Sequence, residues 1–151
     1  MKSIISKTML LVALCATLFS FSDSKGGEGF EIYINGKLVL QQYGTHINDA
    51  GSLQLDQQLY NDQITIKYYH CGRVGKNRVV TIKDGQNKVM KEWRYADEAT
   101  PLSAMACNVK DILNLRKGNG NIFKLYYSCS ELPNGRLLTS IVAGTENISK
   151  P

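Results

Sequence analysis

His70 and Cys71 stand side by side in ITIKYYHCGRVGKNR, residues 64–78. An imidazole beside a thiol is the pairing that thiol catalysis and soft-metal sites both use: the base takes the proton, and the sulfur attacks or ligates. The flanking residues decide whether that chemistry is open to this pair. QITIKYY (63–69) alternates polar and apolar, which predicts a strand whose successive side chains leave on opposite faces. His70 then falls in phase with Ile64, Ile66 and Tyr68, while Cys71 falls with Thr65, Lys67 and Tyr69. Neighbours on a regular strand do not aim at one substrate atom. A Cys–His pair would need His46 brought across from GTHINDAG, or a sharp break at Gly72, and no hydrolase signature surrounds Cys71. The expectation is that no residue is catalytic.

Metal and cofactor chemistry fare similarly. The two histidines and scattered cysteines show neither C-x2-C nor H-x3-H spacing. Asn48-Asp49 and Asp84-Gly85-Gln86-Asn87 lack the alternating carboxylates of a calcium loop and suit ordinary turns. Lys117-Gly118-Asn119-Gly120-Asn121 precedes a strand rather than a helix, so it too is a turn and not a phosphate cradle. No metal and no cofactor is expected.

The cysteines suggest a structural use instead. Lys2 and Lys7, the apolar run MLLVALCATLF (9–19) and then Ser20-Phe21-Ser22 have the layout of a secretory signal peptide. That run falls well short of the ~20 residues a membrane-crossing helix needs, so no span is expected in the mature chain. The expected address is the periplasm or the extracellular space, where disulfides form and persist. Cys71, Cys107 and Cys129 remain after residue 22. Cys129 shares the phase of Phe123, Leu125 and Tyr127 and reads as buried; Cys71 lies at the tip of its strand and Cys107 at the start of a short apolar run, which suits a sheet edge for both. Cys71–Cys107 is the expected bridge, worth roughly 3–4 kcal/mol through loop closure. Cys107–Cys129 and Cys71–Cys129 are the alternatives.

The elements that must position these groups are strands. The apolar sets are Phe30, Ile32 and Ile34 in FEIYI; Ile64, Ile66 and Tyr68 in QITIKYY; and Phe123, Leu125, Tyr127 and Cys129 in IFKLYYSC. RVVTIK (78–83) and VMKEWRY (89–95) flank the turn at 84–87, and RLLTSIVA (136–143) follows Pro133-Asn134-Gly135, a hairpin signal. At Asn35-Gly36 a three-residue loop is expected, because it pairs Ile34 with Leu38 and Ile32 with Leu40 on one apolar face. VKDILNLRKG (109–118) reads as one helical turn capped by Gly118. Seven to nine strands with close-spaced turns predict an all-β, antiparallel β-sandwich. The order late in the chain, an aromatic-rich strand ending in Cys129 and then a hairpin to the last strand, resembles an immunoglobulin-like sandwich. The resemblance is architectural and implies no activity. The expected division is residues 1–22 signal peptide, 23–29 flexible N-terminus, 30–143 a single sandwich domain, and 144–151 a polar tail.

Charge narrows the partners. Past residue 22 there are sixteen basic and thirteen acidic residues, a surplus too small for a nucleic-acid footprint. It is concentrated in Arg73, Lys76, Arg78, Lys83, Lys88, Lys91 and Arg94, against only Asp84 and Glu92 over the same stretch. That segment is a candidate docking face for an acidic protein or an anionic glycan. A second candidate needs strands 63–71 and 122–129 to be neighbours, so that Lys67, Tyr69, Lys124 and Tyr126 form one exposed stripe suited to sugar rings or protein anchors. The expected function is therefore an exported, non-catalytic module with a binding or structural role at the cell envelope. The alternatives are a small secreted hydrolase using carboxylates or a Cys/His pair, and an inhibitor or adaptor that pairs through an edge strand.

Overall fold

The structure is a computed structural model that describes residues 27–97, 103–116 and 120–144. The expected signal peptide, Gly118 and nearly all of the expected tail lie outside these residues. Nine strands are described: β1 (Gly29–Ile34), β2 (Lys37–Tyr43), β3 (Gly51–Leu55), β4 (Gln63–Tyr69), β5 (Arg78–Lys83), β6 (Val89–Tyr95), β7 (Met105–Asn108), β8 (Ile122–Cys129) and β9 (Leu132–Ala143). They form two sheets, ordered β2-β1-β4-β7 and β3-β9-β8-β5-β6. The all-β reading holds. Pairing is antiparallel except that β3 runs parallel to β9, a departure from the fully antiparallel expectation.

The apolar phases close the core as the alternation requires. Phe30, Ile32, Ile64, Ile66 and Met105 of the smaller sheet and Val80, Ile82, Phe123, Leu125 and Ile141 of the larger are all fully buried in one cluster. Each such side chain contributes roughly 1.5–3 kcal/mol by leaving water. The short helix α1 (Val109–Asn114) buries Val109, Ile112 and Leu113, spaced for a single helical face. The Val109 N–H donates to Asp62 O at 3.0 Å, so α1 sits where β4 begins. It plugs the end of the sandwich opposite His70.

Two turns differ from expectation. Asn35 (φ 48°) and Gly36 (φ 77°) form a two-residue turn pairing Ile34 with Lys37, and a bulge at Ile32/Tyr33 then restores Ile32 opposite Leu40. The apolar phase is recovered by the bulge rather than by a longer loop. Pro133-Asn134-Gly135 is likewise not the hairpin tip. Cys129 pairs with Leu132 around Ser130-Glu131, and the register resumes at Tyr127–Arg136, so Pro133–Gly135 bulge out of β9.

Candidate functional site

The extended backbone stops short of Cys71. β4 ends at Tyr69, and His70 bridges to Arg73 with the Arg73 N–H donating to His70 O at 3.0 Å. Between them Cys71 (φ 49°) and Gly72 (φ 83°) form a two-residue turn with both residues left-handed. Side-chain alternation belongs to extended backbone only. In this turn it lapses, and His70 and Cys71 line the same open pocket of about 360 Å³, together with Glu28, Arg73 and Glu131. The pocket lies at the mouth of the sandwich, where β4 and the β8–β9 hairpin meet.

The pocket's base is a network joining both sheets. The Tyr68 and Tyr127 rings stack with centroids 4.3 Å apart. His70 Nε2 lies 2.9 Å from the Tyr127 hydroxyl and 3.6 Å from Cys129 Sγ. The Tyr68 hydroxyl donates to Glu28 Oε1 at 2.5 Å, and Arg136 Nη2 donates to Glu28 Oε2 at 2.9 Å. Gly75 presses against this base: a Cβ there would stand 2.6 Å from the Tyr127 hydroxyl and 2.8 Å from His70 Nε2. Only glycine allows that approach.

Burial holds His70 below the ordinary histidine range, aided by Arg136 and Arg78 and opposed by Glu131 and Glu28. Its imidazole is therefore neutral near pH 7, and one hydrogen bond joins Nε2 to the Tyr127 hydroxyl. Burial also raises the Tyr127 phenol and the Cys129 thiol, keeping both protonated. Glu131 is held low by backbone N–H groups of its own residue and of Lys76, and by the Cys129 thiol. The imidazole nitrogen with defined partners thus points inward. A thiol nucleophile needs its base on the sulfur, and no hydrogen bond joins His70 to Cys71. His46, the other candidate base, bonds Asp49 at 3.0 Å and does not line the pocket.

The expected Cys71–Cys107 disulfide is absent, and Cys71, Cys107 and Cys129 are all free thiols. Register explains this. Cys107 pairs with Ile64 at the start of β4, whereas Cys71 follows its far end. The five residue steps from Ile64 to Tyr69 span roughly 17 Å, far beyond disulfide reach. Cys129 is buried, as its phase implied, but its sulfur faces His70.

The Lys/Tyr stripe does not form, because β4 and β8 belong to different sheets. Lys67 and Tyr69 lie on the outer face of the smaller sheet, around Glu31. That carboxylate accepts hydroxyls from Tyr33 (2.6 Å), Tyr43 (2.5 Å) and Tyr69 (2.8 Å), while the Lys67 ammonium sits 5.0 Å from the Tyr33 ring centre. Burial would raise Glu31, but the three phenols and Lys67 outweigh it and hold its pKa low. Lys124 and Tyr126 lie on the outer face of the larger sheet. Lys124 donates to Asn87 Oδ1 at 2.8 Å, and Tyr126 carries the Lys83 ammonium 4.3 Å from its ring centre. There the Pro133–Gly135 bulge walls a recess of about 180 Å³, lined also by Thr81, Lys83, Val89, Glu92, Tyr126 and Ser128.

The basic segment likewise divides. Arg73 lies at the mouth pocket, and Lys76 beside it gives its backbone N–H to Glu131 at 3.3 Å. Arg78 is buried and donates to the carbonyls of Ser103 and Ala96 at 2.8 Å each, so it is structural. Lys83 lines the outer recess, Arg94 pairs with Glu92 at 3.3 Å, and Lys91 covers Trp93 on the other phase of β6. Lys88 belongs to the 84–88 turn. A hairpin distributes adjacent charges over two faces, so no single basic docking face results. Glu28, Tyr127, Glu131 and Arg136 were not anticipated as site residues; Glu28 fell in the supposed flexible N-terminus. Their convergence depends on pairing between distant segments.

Among the described residues, no group of three or more His, Cys, Asp or Glu side chains is placed to hold a metal ion. No protein-family model matches the chain, and no curated protein matches it.

Proposed function

We propose that this protein is an exported, non-catalytic binding module that takes an anionic glycan at or outside the cell envelope. The observation that carries this reading is the recess on the outer face of the larger sheet. An aromatic ring, Tyr126, stands there with hydroxyls (Thr81, Ser128), an amide (Asn134), a carboxylate (Glu92) and an ammonium (Lys83) within one small hollow. Sugars are held by an aromatic face plus a few converging polar groups. Lys83 now covers that ring, and its flexible chain is able to lift away to meet a sulfate or uronate. The immunoglobulin-like arrangement is part of the same proposal. It is supported by β9, β8 and β5 lying side by side and by the antiparallel β8–β9 hairpin.

The test is binding of a sulfated oligosaccharide by calorimetry. The expected result is measurable affinity that weakens with salt and falls about tenfold, ~1.4 kcal/mol, in Tyr126→Ser and in Lys83→Ala. Unchanged affinity in both folded variants rejects the site.

One observation favours a second reading, a thiol hydrolase: Cys71 is a free, exposed thiol on the same pocket as His70. In that reading His70 Nε2–H donates to the Tyr127 hydroxyl, and the free Nδ1 accepts the thiol proton. Loss of hydrolysis of an activated ester in Cys71→Ser would support it, and equal rates for the two proteins would remove it.

A further inference from the structure

The mouth pocket carries charges that the fold leaves open. Glu28 is neutralised within the structure by Arg136 at 2.9 Å and by the Tyr68 hydroxyl. His70 is turned toward Tyr127 and Cys129. What remains among the lining residues is one acid, Glu131, and one base, Arg73. These two do not pair with each other: the ion pairs among the described residues are His46–Asp49, Arg94–Glu92 and Arg136–Glu28.

The two charges are not equivalent ornaments of an exposed loop. Glu131 is anchored at the hairpin tip, where its Oε2 accepts the Lys76 N–H and the Ser130 N–H donates to Lys76 O at 2.8 Å. Arg73 is delivered by the tight Cys71-Gly72 turn directly after β4. Opposite charges that face one hollow without meeting are complementary to a ligand bearing both signs. The pocket's volume of about 360 Å³ lies at the small end of the range for small-molecule sites.

From this geometry we infer that the mouth pocket binds a small zwitterion, its carboxylate on Arg73 and its ammonium on Glu131. The guanidinium fork suits a carboxylate. The carboxylate of Glu131 already accepts the Lys76 N–H, its own N–H and the Cys129 thiol, and its roughly four lone-pair sites still leave room for an ammonium. The site is separate from the Tyr126 recess and stands whether or not that recess takes a glycan.

The probe is the set of free L-amino acids, each titrated to about 10 mM into the native protein by NMR, with its N-acetylated and C-amidated forms alongside. At least one zwitterion should bind at millimolar or better affinity, and blocking either end should weaken it at least tenfold. Arg73→Gln and Glu131→Gln should each weaken it comparably, with Tyr126→Ser neutral. The inference is overturned if no zwitterion binds, if the blocked forms bind as well as the parent, or if both folded variants bind like the original. Because the blocked ligands are tested on the unaltered chain, a variant that fails to fold does not protect the proposal.

Discussion

His70 Nε2 and the Tyr127 hydroxyl meet at 2.9 Å between residues fifty-seven apart, one just past the end of β4 in the smaller sheet and the other within β8 of the larger. This bond ties the end of β4 to the middle of the larger sheet and forms the base of the mouth pocket. Tyr127→Phe removes the hydroxyl partner while keeping the ring stack on Tyr68. It leaves Nε2 with only the Cys129 thiol at 3.6 Å. The expected loss is about 1–3 kcal/mol of stability, read from urea unfolding. A loss near zero would mean that water replaces the phenol without cost.

Stability should fall with acid in two stages. His70 is held below 6.5 in the folded chain, so the unfolded chain takes up its proton first, and stability declines as pH drops through about 6.5. Glu31 and Glu131 are held below the usual carboxylate value of 4.5, so their contribution is present above that value and is lost as pH falls through their folded pKa. Urea midpoints measured from pH 8 to pH 3 should show both declines, and His70→Gln should abolish the first alone. A first stage that persists in His70→Gln would assign it elsewhere.

Gly29 lies between Tyr43 and Tyr69 in the register of the smaller sheet. A Cβ at this position would stand 2.1 Å from Tyr43 Cδ1 and 2.8 Å from Gln42 O. Gly29→Ala must therefore push the Tyr43 ring off Glu31, with an expected cost of about 1–3 kcal/mol. Combining it with Tyr43→Ala should cost clearly less than the sum, since the ring being displaced is then absent. Additive losses would place the strain in the backbone contact instead.

The three thiols should differ sharply toward an alkylating reagent. Cys71 is exposed, whereas Cys107 is buried in β7 with its thiol pushed up to about 12 by burial, and Cys129 is buried against His70. Mass spectrometry after brief iodoacetamide treatment of the native protein should find only Cys71 modified, with the other two reacting after unfolding. Native modification of Cys107 would mean that β7 leaves the sheet edge readily.

Much of the architecture is legible from residue order alone. Alternation marked Ile64, Ile66, Phe123 and Leu125 as inward, and each is fully buried. The helical turn at 109–114 and the turn after Lys83 also follow from local chemistry. Changes of direction or register are not legible: Cys71-Gly72 turns where the residues read as a continued strand, FEIYI carries no mark of the bulge at Ile32/Tyr33, and Pro133-Asn134-Gly135 reads as a hairpin tip although it bulges out of β9.

The order of residues by itself determined which side chains each strand buries, because period-two alternation is a property of the local backbone. It also marked a turn at Asn35-Gly36, although not the turn's length. Which strands become neighbours was decided only by tertiary structure. Lys67 and Lys124 parted to opposite outer faces, and Glu28, His70, Arg73 and Glu131 met at one mouth. Pairing between segments far apart in the chain is chosen by total burial and hydrogen bonding across the domain, and no local window contains that information.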